Sequence, residues 1–525
     1  MIMAFSKNDN GLRLTSEFVR RLLLGIVLVV AAVALDPASA ASASAAASPG
    51  CGPLDHPETG IAGEVPLVDQ LSRRAERGYN CGVAVVGYNN LNRRGSNGNM
   101  AWSGDCAYVT GNGVAVIDVR DPTNPRFVRT LHGPGSNDSF ETISTIDAPG
   151  RHLLAAGRYG LVGNRGLNGM RPVDIYDVAD CAHPQRLATI QFPKNVHGLT
   201  LSPDGRRLYT TLPLQAADLT DLHHPRVLGS IEKDLRGQGR LHLQYAHEVV
   251  VSPDGNTLYI GGQLPGDSEL MALDITGWPK RRAKILGRIS MPGHSIRQAT
   301  IKGKHYLLHS DESVSSPSAK GCVPDALTPF GGVSEPFLTD ISNVRAPKVV
   351  SRFRLAINRP ENCALQALDG LDDSVHFHDV DDPNNTTFAL LSMWNAGLRI
   401  VDVRNPTSPR EVAYFNPGQF HHEGRVPPLS VNPLRVAFNT QGGYLPIDQS
   451  WAHIRYNPAT GIIWFATYTG GFWVLELEPQ VRAALGLPAV RSHYPRGGEP
   501  RPAASHFPSP LARSTAMYCT LNALT

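Results

Sequence analysis

Apolar positions between residues 81 and 480 do not recur with a helical period; they come in short runs that end at an acidic residue, with a proline seven positions further on. Val116-Ile117-Asp118 leads to Pro125, Ile175-Tyr176-Asp177 to Pro184, Asp218 to Pro225, Asp340 to Pro347, and Ile400-Val401-Asp402 to Pro409. Looser copies are Ala272-Leu273-Asp274 with Pro279 and Val474-Leu475-Glu476 before Pro479. The spacing predicts a strand, a tight turn in which the carboxylate accepts backbone N–H groups, and a second strand entered at the proline. Upstream, Ser202-Pro203-Asp204-Gly205 and Ser252-Pro253-Asp254-Gly255 predict a further hairpin in each unit.

Seven units of four antiparallel strands predict an all-β chain folded as a seven-bladed β-propeller. The last unit runs out after its third strand at Leu475-Glu476-Leu477. The apolar segment from Cys81 to Gly87 is the candidate for its missing outer strand, so the ring closes through an N-terminal strand and leaves no open sheet edge.

Residues outside the repeats set the expected domain plan. Arg20-Arg21, the fourteen-residue apolar run Leu22–Leu35 and Ala38-Ser39-Ala40 have the three parts of a secretory signal. That run falls short of the roughly 20 residues needed to span a bilayer. The plan is a signal peptide over 1–40, leader and loop over 41–80, propeller over 81–480 and an irregular tail over 481–525. The protein is expected to be secreted or extracytoplasmic, at the cell surface or in the periplasm, and monomeric. Seven widely spaced cysteines without a C-x-x-C pair suit disulfides in an oxidising compartment. Cys322 with Cys363 is the first pair expected, and the odd count leaves at least one thiol unpaired.

The strings Gly113-Val114-Ala115-Val116-Ile117-Asp118-Val119-Arg120-Asp121-Pro122 and Gly397-Leu398-Arg399-Ile400-Val401-Asp402-Val403-Arg404-Asn405-Pro406 resemble the LVIVD repeat. The resemblance implies a β-propeller of the kind found in mostly bacterial, often exported proteins, and implies little about activity. The Ser-Pro-Asp-Gly turns also look like those of lactonase-type and selenium-binding, methanethiol-oxidising propellers, although such turns are generic.

Histidine falls at one place in the repeat. His197 and His247 each lie six residues before the proline of a Ser-Pro-Asp-Gly turn, while His376 with His378 opens the sixth unit and His453 the seventh. The second unit offers Glu141 at a similar place, the fifth His294 or Arg297, and the first Asn99. The first strand of each blade lines the propeller axis, so these side chains are expected to converge. Imidazoles with a carboxylate suit a divalent metal ion, with His197, His247, His376, His453, Glu141 and His378 as ligands. Arg297, His294 and Asn99 are candidate ligand contacts. The alternative is a polar, watery channel in which the same groups bond backbone carbonyls.

Net charge is +3 with both signs mixed, and no basic stripe interleaves with aromatics, which excludes a nucleic-acid surface. No G-x-S-x-G motif is present. Asp381-Asp382-Pro383-Asn384-Asn385 reads as a hairpin turn rather than a calcium loop. The partner is therefore a small molecule held in the central channel or an extracellular protein. In the second case the chain is a non-catalytic scaffold presenting the loops 310–335, 355–374 and 416–450.

Overall fold

The computed structural model describes residues 50–490, apart from 95–96, 132–137, 140–141, 158–170, 212, 240–245, 263–268, 311–334, 363–364, 366–372, 419–447 and 469. Seven antiparallel sheets follow one another along the chain. Blade 1 begins with Met100–Ser103, blade 2 with Ile143–Ala148, blade 3 with Leu199–Leu201 and blade 4 with Ala246–Val251. Blade 5 begins with Ser295–Ile301, blade 6 with Val375–Val380 and blade 7 with Arg455–Asn457. The seven-bladed propeller expected from the repeat is the fold of this chain.

The closing strand is also as expected. Val83–Asn89 pairs antiparallel with Gly471–Leu477, from Val83 opposite Leu477 to Asn89 opposite Phe472, and completes blade 7. A second N-terminal strand was not foreseen. Tyr79–Cys81 pairs with Arg410–Asn416, the outer strand of blade 6, and makes that sheet five-stranded.

The recurring acidic residue does what its turn requires. Asp118, Asp177, Asp218, Asp274, Asp340 and Asp402 each accept the backbone N–H two residues on, at 2.8–3.1 Å. Arg120 and Arg126 both reach Asp118 and hold its carboxyl well below the usual range. The pair of strands flanking each of these turns carries a β-bulge, for example between Val116 and Ile117 and between Ile400 and Val401. Blade 7 has its counterpart between Val85 and Gly87. A bulge at the same place in every blade adds the right-handed twist that lets flat sheets pack radially.

Ring closure is visible in the core, which is divided among the seven gaps between blades. Tyr108 and Val116 pack on Leu154 and Tyr176 between blades 1 and 2. Leu390 and Ile400 pack on Phe465 and Leu475 between blades 6 and 7, and Trp464 and Val474 on Ala107 and Ile117 between blades 7 and 1. The remaining four gaps are filled in the same way.

Described segments on either side of the blades join this packing. The helix Pro479–Leu485 buries Val481 and Leu485 in the blade 6–7 core. The leader is tied down by the Cys51–Cys81 disulfide and by an ion pair from Glu58 to the fully buried Arg399 of blade 6. A second disulfide, Cys106–Cys181, joins blade 1 to blade 2. Cys322, Cys363 and Cys519 lie outside the described residues, as do the signal segment and most of the three predicted contact loops. Among the described residues, no helix is long and apolar enough to cross a membrane.

Candidate axial site

The openings of the innermost strands of blades 3 to 6 bring four imidazoles into one file, His247 and His376 within their strands and His197 and His294 just ahead of theirs. Ring centroids are 4.3 Å apart for His197 and His247, 3.7 Å for His247 and His294, and 4.7 Å for His294 and His376. All four side chains are buried. Between blades 3 and 4 the approach depends on Gly198, since a Cβ there would stand 2.3 Å from the carbonyl oxygen of His247. At His247 and at His376-Phe377 the inner strand is bulged against its neighbour, which turns these side chains toward the axis.

Each ring is oriented by the next blade. His247 Nδ1 lies 3.0 Å from the carbonyl oxygen of His294, His294 Nδ1 3.3 Å from that of His376, and His376 Nδ1 2.8 Å from that of Trp451. A carbonyl only accepts, so in each case Nδ1 carries the proton and Nε2 the lone pair. That is the tautomer in which a histidine ligates a metal through Nε2. His197 Nε2 and His247 Nε2 stand 2.6 Å apart. At that distance one Nε2 donates a proton to the other, and since the His247 Nδ1 carries its own proton, His197 is the donor when both rings are neutral.

Trp451, not His453, is therefore the blade 7 counterpart of the file. Trp451 and Trp394 lie with ring centroids 4.7 Å apart, tilted by 33°, and meet His376 edge-on, closing that side with aromatic surface. Phe377 lies against His294, His376 and His453 and divides the axis into two levels.

The second level is a polar belt. Arg297 Nη1 donates to Glu248 at 2.7 Å and its Nε to Asp379 at 2.7 Å. His453 Nδ1 is 3.1 Å from Asp379 and its Nε2 2.7 Å from Arg297. Acceptors of the belt also bind the backbone of a neighbouring blade: Glu248 takes the Ile296 N–H and Asp379 the Ile454 N–H of the blade that follows, and Asn99 Oδ1 the His453 N–H of the blade before it in the ring. Burial opposes ionisation of both carboxyls, but the Arg297 guanidinium holds Glu248 and Asp379 below the usual carboxylate range. This belt links blades 4, 5, 6, 7 and 1 in sequence.

His378 is fully buried, and burial followed by the nearby Arg297 charge pushes it down to about 3, so it is a neutral imidazole. Among the described residues, neither of its ring nitrogens has a hydrogen-bond partner. Glu141 lies outside the described residues.

The sequence-chosen residues thus divide into two groups. His197, His247, His376 and His294 share the file; Arg297, His453 and Asn99 share the belt. Glu248, Asp379, Phe377 and Trp451 were missed. A carboxylate set directly after a strand-opening histidine, as in His247-Glu248 and His378-Asp379, was the available signal. Three ligand atoms within 4.8 Å of one another occur among the described residues at Cys51, Asp55 and Cys81, but both sulfurs there belong to the disulfide. The axial histidines form no such trio among the described residues; His197 and His247 are the pair whose nitrogens meet. Asp381 accepts the N–H groups of Thr387 and Phe388, as its hairpin turn demands.

The LVIVD repeat family matches residues 94–132 and 387–416, which cover blade 1 and most of blade 6. Among solved structures, the β-propeller domain of Cps50 (Swd1) from Myceliophteria thermophila is similar at 14% identity, over 73% of this chain and 96% of that one, with a TM-score of 0.43. No curated protein matches the chain. The chain is a seven-bladed β-propeller that carries LVIVD repeats.

Proposed function

We propose that this propeller is an exported metal-binding protein whose axial histidine file holds a divalent transition-metal ion. The observation that carries the reading is the 2.6 Å approach of His197 Nε2 and His247 Nε2 within a file of four buried imidazoles. The Nδ1 contacts of His247, His294 and His376 with the carbonyl of the next blade, which a purely polar channel would share, make Nε2 the nitrogen through which these rings would ligate. His197 and His247, whose nitrogens meet, are the two core ligands, and the remaining positions on the ion are left to solvent or a small bound molecule. An imidazole-only set suits zinc, copper or nickel over magnesium or calcium. A metal ion held this way and keeping an open position supplies Lewis acidity toward a small bound molecule. The chain's own residues orient the ligands and, through Trp394, Trp451 and Phe377, exclude water.

Export is supported by the basic flank, apolar run and Ala-Ser-Ala end at residues 20–40, and by two disulfides among the described residues.

Metal analysis of the untagged, secreted protein tests the reading. About one equivalent of a transition metal is expected, lost on joint alanine substitution of His197 and His247. Below roughly 0.2 equivalents, with no uptake on reconstitution, the proposal is wrong.

A further inference from the structure

The leader contains a short helix turned inside out. In Leu67–Leu71 the polar Asp69 is buried, accepting from Thr59 Oγ1 at 2.5 Å and Tyr79 Oη at 2.8 Å. Tyr79 belongs to the strand added to blade 6, so the helix is pinned to the propeller by its polar side. Its apolar side faces solvent: Val68 is 68% and Leu71 64% exposed, with Leu67 beside them at the i−4 position of Leu71. Among the described residues, these three and Leu54 of the same leader are all the exposed large hydrophobics.

The charges around this helix are sorted in the same sense. The Arg73 and Arg74 side chains are about half exposed and Arg77 is exposed, while the carboxylates of Asp69 and Glu76 are turned inward at 7% and 10%. Glu76 pairs with Arg73 at 2.7 Å and Asp69 with Arg74 at 3.4 Å, each acid lying inward of its arginine, so the outward surface is apolar with cationic groups outermost and a net charge of +1 over residues 67–77. Leu54 lies nineteen residues after Leu35, the end of the basic-flanked apolar run.

We propose that Leu67, Val68 and Leu71, with Arg73, Arg74 and Arg77, form a docking surface for an anionic lipid membrane. The apolar side chains enter the interfacial region while the arginines meet the phosphate headgroups, as amphipathic interfacial elements do. Arginine groups placed outermost around the apolar side chains, Arg73 and Arg74 over their paired acids and Arg77 beside them, complement anionic headgroups. The surface lies on the leader, so docking is independent of the axial histidines.

Flotation of the full chain with vesicles tests this. One set is pure phosphatidylcholine, the other contains about a third phosphatidylglycerol. Wild type is expected to float with the anionic set and to release it at high salt. Joint substitution Leu67→Ser, Val68→Ser and Leu71→Ser, or Arg73→Gln, Arg74→Gln and Arg77→Gln, is expected to weaken flotation roughly tenfold or more. Thermal unfolding of both variants verifies that they fold. Equal flotation by folded wild type and serine variant overturns the proposal. So does equal binding to both vesicle types, or a wild-type dimer, seen by light scattering, that the serine variant dissolves.

Discussion

His247 donates its Nδ1 proton to the carbonyl oxygen of His294, 3.0 Å away on the neighbouring blade. The same ring touches His197 through Nε2. One imidazole therefore joins three blades, and its two nitrogens have different tasks. His247→Ala should abolish metal uptake and also lower stability by about 1–3 kcal/mol, because a buried carbonyl loses its donor. His453→Ala, in the belt, should leave uptake intact. Metal content and urea unfolding of both variants check the pair of outcomes.

Gly198 is required by close approach and not by an unusual φ. Gly198→Ala drives its Cβ toward the His247 carbonyl and forces blades 3 and 4 apart. A loss of about 1–3 kcal/mol is expected, with weakened metal binding. Wild-type affinity in a folded Ala variant would remove the role assigned to this contact.

Arg297 sits between two buried carboxylates. Arg297→Met leaves Glu248 and Asp379 as uncompensated buried charges and should cost about 3–5 kcal/mol in denaturant unfolding. Arg297→Lys should recover little, because an ammonium cannot reproduce the fork that reaches both blades. The triple change Glu248→Gln, Arg297→Met and Asp379→Asn should be milder than Arg297→Met alone.

Acid sensitivity should come from His378 before it comes from carboxylates. Its folded pKa is pushed down to about 3, below the ordinary value near 6.5, so the unfolded chain takes up the proton first. The stability it contributes is complete above about pH 6.5 and is lost as pH falls toward 3. At pH 5 the loss amounts to about 2 kcal/mol. His309, pushed down to about 4 by burial, acts in the same direction. His378→Leu should flatten the decline between pH 6.5 and 5; an unchanged slope would show that His378 is not responsible.

Reduction of the leader disulfide gives a separate test of the N-terminal clasp. Cys51→Ser with Cys81→Ser opens a loop closed over 30 residues and should lower stability by about 2–4 kcal/mol. Protease cleavage within residues 50–78 should accelerate while the propeller core resists.

Blade number, blade order and the closing strand were legible because they depend on local chemistry. An Asp that caps its own turn and a proline seven residues later act within one hairpin, wherever that hairpin ends up. The place of histidine at the start of inner strands was legible for the same reason. Spacing could not say whether His294 or Arg297 shares the axis with His247, nor that Trp451 stands there in place of His453. Bulges at His247 and at His376-Phe377 shift which side of the strand each residue faces, and such a shift is set by the neighbouring blade. The partners of Arg297 come from blades 4, 6 and 7, far apart in the chain. The sequence by itself determined the repeating sheet and its turns, whose hydrogen bonds close within a few residues. Only the tertiary structure decided which side chains meet at the axis, because those contacts exist only once seven separate sheets have closed into a ring.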